Sequence, residues 1–282
     1  MKKSTIAYLD KRSLIYEGKT KLLLENAEEN TYALHFKDSV SRSGNAGKEE
    51  TIRDKGMMNA QFSAYIFSHL NDLGFPTHWL SKTSNREHII YALDMFPIVI
   101  EVRNAATEDI SRKLGIEEGT FFSDPLVEYY SKLDTKDAPY LLTKEHLEII
   151  GLLTKSELEE VQRQALRIND FLIGFFAGFG CHLYKVGFEF GRRYNFLLEE
   201  TEVFLGDEIS LDSCHVVDKQ TAQVFGLHGL KENQKIKANL YTDFMQRCEW
   251  VLQKRNVEES GISPRSVVKL PVSFAKKKHT HD

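Results

Sequence analysis

The spacing of hydrophobic residues divides the chain into strand-like and helix-like segments. Across residues 14–37 apolar and polar positions roughly alternate, which predicts antiparallel strands punctuated by Gly18. Across residues 55–73 apolar side chains recur at helical intervals, and Gly74 ends the run. We therefore expect an opening sheet with a first helix beside it.

The middle of the chain has two further strand-like runs, 88–93 and 95–103, with no room for a helix between them. We interpret their junction as a hinge between two lobes. A short helix capped by Thr107 and ending near Gly115 follows, and then a strand at 126–132.

The clearest helix prediction covers residues 156–179. Thr154 and Glu157 have the spacing of a capping box, in which two side chains bond free backbone N–H groups at a helix start. One apolar stripe follows, which we assign to the core and not to a cofactor site: Leu158, Val161, Ala165, Ile168, Leu172, Phe175 and Phe179.

Strand-like runs return at 182–190, 195–199 and 203–205. A last amphipathic helix carries Ile236, Leu240, Phe244, Cys248 and Val251. Sheets and helices thus succeed each other without a regular repeat. We predict an α+β fold of antiparallel sheets with flanking helices.

Charge and composition narrow the class of protein. The net charge of −4 over 282 residues argues against a nucleic-acid or membrane partner, since both need clustered positive potential. The basic run 276–278 is interpreted as a solvated tail. The chain has three cysteines without paired spacing, Cys181, Cys214 and Cys248, and no apolar run of about 18 residues. Both features predict a cytoplasmic protein.

Two groups of residues suggest chemistry. Lys19 and Lys21 fall on one face of a predicted strand beside Gly18, where paired ammonium groups suit a triphosphate, although such lysines are more often solvated. Glu189 and Asp207 each follow a strand-like run. Together they could hold Mg²⁺, although either alone could be a surface residue.

The remaining candidates leave more than one interpretation open. Arg103 ends a strand and could bind phosphate or carboxylate, or form a salt bridge to Glu101. A lone histidine such as His215 is more often structural than catalytic. No Ser/His/Asp or Cys/His nucleophile pattern is found, so the cysteines are expected to be passive.

In order along the chain, several short motifs resemble those of the SAICAR synthetase family. They span nearly the whole sequence: GKTK at 18–21, KGMMN at 55–59, PIVIEVRN at 97–104, RKLGIEEG at 112–119, FEFG at 188–191 and GDEISLDS at 206–213.

The resemblance implies a two-lobed fold, with lobes 1–94 and 95–282, ATP in the cleft between them, and a homodimer. It also implies activation of a carboxylate as an acyl phosphate and attack by an amino-acid amine, such as that of aspartate, without a protein nucleophile. The implied nucleotide and magnesium residues are Gly18, Lys19 and Lys21 at the phosphates, Asp94 and Met95 near adenine, and Glu189 and Asp207 at Mg²⁺.

The implied acceptor residues depart from the family pattern. They comprise Arg103, Asp109, Asp212, Ser213, His215, Lys132, Asp38 and Ser41. Asp109 stands where the family has a phosphate-binding serine, and His215 where it has an arginine. Lys185 and Gly187 replace an aspartate and a lysine.

We therefore predict a Mg-ATP-dependent amide-forming ligase whose acceptor phosphate subsite is altered. One alternative is a genuine SAICAR synthetase of purine biosynthesis in which Arg42 or Lys185 supplies the missing positive charge. Another is a non-catalytic nucleotide-binding module. A phosphotransferase is disfavoured because the kinase HRD and DFG motifs are absent from the sequence.

Overall fold

The computed structural model describes residues 12–40, 50–133, 139–195, 199–230 and 239–259, with side chains described as far as residue 249. The strands are β1 (Leu14–Glu17), β2 (Lys21–Glu25), β3 (Thr31–Phe36), β4 (Ser39–Val40), β5 (Glu50–Thr51), β6 (Trp79–Ser84), β7 (Glu87–Tyr91), β8 (Asp94–Met95), β9 (Ile98–Ala105), β10 (Phe121–Ser131), β11 (Leu141–Leu142), β12 (Cys181–Phe188), β13 (Phe190–Asn195), β14 (Glu200–Leu205), β15 (Cys214–Asp218) and β16 (Val224–Phe225). The helices are α1 (Lys55–Asp72), α2 (Glu108–Leu114), α3 (Lys144–Ile149), α4 (Lys155–Gly178) and α5 (Asn239–Glu259), with a short 3-10 helix at Leu227–Gly229.

The strands form antiparallel sheets, which confirms the α+β prediction. One sheet has the order β1-β2-β3-β7-β6, and a second has the order β11-β10-β9-β12-β15-β16. A third sheet has the order β14-β13-β8, and β4 pairs with β5. None of the described helices combines the length and hydrophobicity that a membrane span requires.

Several predicted elements have the expected bounds. Helix α1 begins at Lys55, as predicted, and α4 begins one residue before the predicted start. The capping box is present, because Thr154 accepts the Glu157 N–H and Glu157 accepts the Thr154 N–H. Local periodicity and capping therefore determine these helices.

One prediction along the chain was wrong in detail, and another falls largely on residues that the structure does not describe. Of the predicted strand at 195–199, Asn195 ends β13 and Glu199 has a left-handed backbone with φ of 54°, while positions 196–198 lie outside the described residues. In the apolar stripe of α4, Phe176 is fully buried, whereas Phe175 and Phe179 are only partly buried. Position 236 of the predicted last helix lies outside the described residues.

The main core is an aromatic cluster where α1, α4 and α5 meet. The fully buried ring of Phe62 lies 5.7 Å from Phe175, 6.0 Å from Phe176 and 5.7 Å from Phe244, measured between ring centroids. Because α1 contributes to this cluster and also packs Ala60 against the first sheet, it holds the two large sheets together.

We expect Phe62→Ala to lower the free energy of unfolding by about 3–5 kcal/mol, because it leaves a cavity between three helices. Denaturant titration followed by circular dichroism measures this loss. Leu114→Ala, at a side chain that is 61% exposed, is the control and should change stability by less than about 0.5 kcal/mol. Equal effects of the two substitutions would contradict the assignment of this cluster as the core.

Candidate functional site

The ammonium group of Lys21 joins the first sheet to the loop after β14. Its Nζ donates to Asp207 Oδ1 at 2.5 Å and to Glu208 Oε1 at 2.8 Å. Burial opposes the charge of Lys21, but the attraction of these carboxylates outweighs it and raises the pKa of Lys21. The same attraction overcomes burial at Asp207 and lowers the pKa of that carboxyl group.

Lys19 lies elsewhere than predicted. Strand β2 begins at Lys21, so Lys19 belongs to the turn before it and does not share a strand face with Lys21. The turn is closed by a hydrogen bond from the Gly18 N–H to the Lys21 carbonyl, 2.9 Å long. The side chain of Lys19 is exposed in this turn.

A second lysine neutralises the next carboxylate. Lys132, just after β10, donates to Glu189 Oε2 at 2.6 Å, and Glu189 follows directly after β12. Burial, and then the negative charge of Asp207, raise the pKa of Glu189. Glu189, Asp207 and Glu208 thus form a carboxylate cluster that is held between two lysines.

This carboxylate cluster fits a shared magnesium ion. Glu208 is 5% exposed, and its Oε2 has no hydrogen-bond partner among the described residues. In the same described part, no three His, Cys, Asp or Glu side chains are placed to hold an ion by themselves. Mg²⁺ usually takes one or two carboxylates together with phosphate oxygens and water, so the donor set fits an ion bound jointly with a nucleotide.

The predicted hinge, β8, packs against two glycines. Asp94 and Met95 are exposed, and β8 pairs with β13. A Cβ atom on Gly206 would lie 2.9 Å from Met95 Cε, and one on Gly191 would lie 2.9 Å from the Asp94 carbonyl oxygen. A larger residue at position 191 would therefore displace the β8 backbone, whereas one at position 206 would displace the Met95 side chain. Arg192 also donates to Asp94, at 3.3 Å.

One face of the six-stranded sheet carries the charged side chains, because side chains alternate across a strand. In the register of the sheet, Lys185 lies opposite Arg103, and Gly187 lies opposite Glu101. Glu189 continues the same face, roughly 13 Å along the chain from Lys185. Gly187 lies between them without a side chain, and a Cβ atom there would lie 3.3 Å from Val99 Cγ1.

Arg103 is buried at this far end and fully engaged by the protein's own carboxylates. Its Nε donates to Glu128 at 2.5 Å, and its two terminal nitrogens donate to Asp109 at 3.2 and 2.9 Å. It also pairs with Glu101, which in turn accepts from Lys185 at 2.7 Å. The salt-bridge interpretation of Arg103 is therefore confirmed.

Asp109 is ionised in this arrangement. Although burial opposes its charge, hydrogen bonding from Thr107 and the guanidinium of Arg103 lower the pKa of Asp109 to about 2. The positive charge of Arg103 is thus balanced within the chain. An incoming phosphate would have to displace Asp109 or bind beside it.

Three aromatic rings form a wall next to Arg103. The rings of His215 and His228 stack with centroids 4.8 Å apart and planes 8° apart, and Tyr184 stacks on His215 at 5.6 Å. Burial, and then the positive charge of Lys185, lower the pKa of His215 to about 4 and that of His228 well below its ordinary value. Both imidazoles are therefore neutral at pH 7.

Other predicted acceptor residues bind neighbouring protein groups. Asp212 lies between the buried ammonium of Lys55 at 2.5 Å and the hydroxyl of Tyr241, which donates to it at 2.6 Å. Asp38 accepts from Arg86 at 2.5 Å and from the N–H of Gly56 at 2.9 Å.

The remaining two predicted acceptor residues are serines. The hydroxyl of Ser213 accepts from the Ser210 N–H at 3.0 Å. Ser41 lies outside the described residues.

Sequence reasoning missed several members of the site. Glu208, Lys55 and His228 were not singled out as site residues, although Glu208 follows Asp207 directly and Lys55 opens a recognised motif. His228 has no local signal, because the chain brings it to His215 through the 3-10 helix. These contacts join residues that are distant in sequence.

Comparison with known proteins gives a consistent result. The SAICAR synthetase family profile matches residues 14–253. The phosphoribosylaminoimidazole-succinocarboxamide synthase of Bartonella quintana is 37% identical over 253 residues, which cover 90% of this chain and 98% of that protein. The synthase of the same name from Sinorhizobium medicae is 40% identical over 76% of this chain and 83% of its own length.

Solved structures agree with this match. The synthase from Ehrlichia chaffeensis superposes with a TM-score of 0.72 at 28% identity, over 90% of this chain and all of its own. A SAICAR synthetase in complex with ADP superposes with a TM-score of 0.75 at 26% identity, over 82% of this chain and 96% of its own. The chain therefore belongs to the SAICAR synthetase family, whose members are ATP-dependent ligases that form carbon–nitrogen bonds in purine biosynthesis.

Proposed function

We propose that the chain joins the amino group of aspartate to the carboxylate of a carboxyaminoimidazole ribotide, with ATP as co-substrate. The observation that carries this proposal is the carboxylate cluster held between Lys21 and Lys132, which suits Mg-ATP. The acceptor and donor are taken from the names of the relatives, one of which is matched over 98% of its length.

In the proposed reaction, the acceptor carboxylate attacks the terminal phosphate of ATP, forming an acyl phosphate and ADP. The aspartate nitrogen then attacks the acyl carbon, phosphate leaves with the C–O electron pair, and the protons of the amine pass to phosphate and solvent. Such chemistry depends on positioning and charge neutralisation and needs no protein nucleophile.

Each residue of the nucleotide half has a proposed role. Lys19 and Lys21 would bind phosphate oxygens beside Gly18, and Asp94 and Met95 would flank the adenine. Glu189 and Asp207 would hold Mg²⁺, which neutralises phosphate charge when bound. We also propose that the boundary between the two lobes lies at residue 94. The protein would act as a homodimer in the cytoplasm.

A specific observation favours a second candidate, in which the same reaction uses a carboxylate without the ribose phosphate. Arg103, the expected phosphate ligand, is engaged by Asp109, Glu101 and Glu128. Lys185, the expected compensating charge, is paired with Glu101. Arg42, the other expected compensation, lies outside the described residues.

The first prediction concerns the product. Purified protein given Mg-ATP, aspartate and carboxyaminoimidazole ribotide should form the succinocarboxamide with release of ADP, at a turnover of order 1 to 10³ per second. Mass spectrometry of the product measures this. Product from the dephosphorylated riboside but not from the ribotide would favour the second candidate, and no amide from either would contradict both.

The second prediction concerns the turn lysine. Lys19→Ala should weaken Mg-ATP binding by about 1.5 to 3 kcal/mol, because it removes a charge-assisted contact to phosphate. Calorimetric titration with a non-hydrolysable ATP analogue measures the affinity. Lys82→Ala, in β6, is the matched control and should bind normally. Unchanged affinity in Lys19→Ala would refute the phosphate role.

The third prediction separates the two acceptor candidates. The double substitution Asp109→Ser with His215→Arg removes one of the three carboxylates on Arg103 and adds a second cation, so it should tighten ribotide binding at least tenfold if the native subsite excludes phosphate. Riboside binding is the internal control and should not gain. If the ribotide already binds the unmodified protein as tightly as the double variant, the second candidate is wrong.

A further inference from the structure

The stacked pair of His215 and His228 has polar atoms that nothing in the described chain uses. Each ring makes the stacking contacts given above, but neither imidazole has a hydrogen-bond partner among the described residues. Both rings are only partly buried, as contact with a ligand would require. A neutral imidazole has one N–H donor and one bare nitrogen acceptor, so the pair offers both kinds of group side by side.

A local irregularity in β12 places these rings beside the charged face of the six-stranded sheet. The pairing of β12 with β15 skips Tyr184, which is the signature of a β-bulge. Tyr184 and Lys185 are therefore both partly buried, where regular alternation would bury one of them. The bulge places the Tyr184 ring on His215 while Lys185 keeps its contact with Glu101.

The position of the wall relative to the carboxylate cluster limits what it can contact. Lys185, which lies opposite His215 in the sheet, is roughly 13 Å along the strand from Glu189. A substrate whose carboxylate reacts near Glu189, above Gly187, would bring the other end of its ring system to His215 and His228. The wall is thus too far from the reacting atoms for proton transfer and suitably placed for recognition.

The charge of the wall decides the kind of group that it suits. Arg103 and Lys185 are balanced by Glu101, Asp109 and Glu128, and both imidazoles are neutral at pH 7. No uncompensated cation therefore faces the wall from the described residues. Groups that both donate and accept hydrogen bonds, such as sugar hydroxyls, match paired imidazoles better than an anion does.

We propose that His215 and His228 are specificity-determining residues that bind the hydroxyl groups of the acceptor's sugar. This inference rests on the proposed amide-forming reaction and assigns the substrate class at the end remote from the reacting carboxylate. It holds for either acceptor candidate, since the ribotide and the riboside share ribose hydroxyls.

The test removes the ring nitrogens of His228 but keeps the ring. His228→Phe should raise the KM for the acceptor about fivefold to tenfold, as expected for lost hydrogen bonds, while the KM for ATP stays within about twofold. The acceptors are carboxyaminoimidazole ribotide, the riboside, and its 2′-, 3′- and 5′-deoxy analogues. At least one deoxy analogue should bind the unmodified protein more weakly and show no further loss in His228→Phe.

The control is His182→Phe, at a partly buried histidine whose ring packs at a tilt against Phe121 near the wall. It should leave all acceptor KM values unchanged. Calorimetry of riboside binding with ADP and Mg²⁺ present gives the same comparison without turnover, so failure of the reaction does not hide the result. If His228→Phe binds every analogue as the unmodified protein does, the inference is overturned. A matching loss in His182→Phe would also overturn it, because packing and not hydroxyl recognition would then explain the effect.

Discussion

Charges that leave water must be paired, and the arrangement of the site depends on this constraint. Lys21 is held against Asp207 and Glu208, although these residues are far apart in sequence. The pairing connects the first sheet to the loop after β14, and His78 supports that loop by a 2.9 Å contact from its Nε2 to the Asp207 carbonyl oxygen. The lysine and the carboxylates thus neutralise each other's charge within the chain.

The same constraint gives the opposite end of the sheet a different character. Arg103 is surrounded by three carboxylates, and the buried guanidinium is held so firmly that its pKa is raised despite burial. The positive charge of Arg103 is consequently neutralised by the protein's own carboxylates. The end of the charged face at the carboxylate cluster thus suits phosphates and magnesium. The other end presents the neutral rings of His215 and His228.

Strand geometry relates these two ends. Because alternate residues share a face, Lys185, Gly187 and Glu189 form one row, and the adjacent strand adds Glu101 and Arg103 to the same surface. The row has no side chain at Gly187, where a Cβ atom would lie 3.3 Å from Val99 Cγ1. A family fold can therefore keep its ATP-dependent reaction while its acceptor end changes through a few side chains on this face.

The sequence by itself determined the features that arise from near neighbours. The period of apolar residues and the Thr154–Glu157 capping box predicted α1 and α4 closely, and the ordered motifs predicted the family. These signals are local, since a helix start or a strand face depends on residues a few positions apart.

Only the tertiary structure decided which charges meet. The sequence predicted that Asp109 repels phosphate, but in the fold this carboxylate accepts hydrogen bonds from Arg103. Likewise, no local pattern predicts that His228 stacks on His215. The physical reason is that burial strengthens whichever pairing the packed chain allows, and that pairing joins residues whose separation in sequence carries no information about their distance.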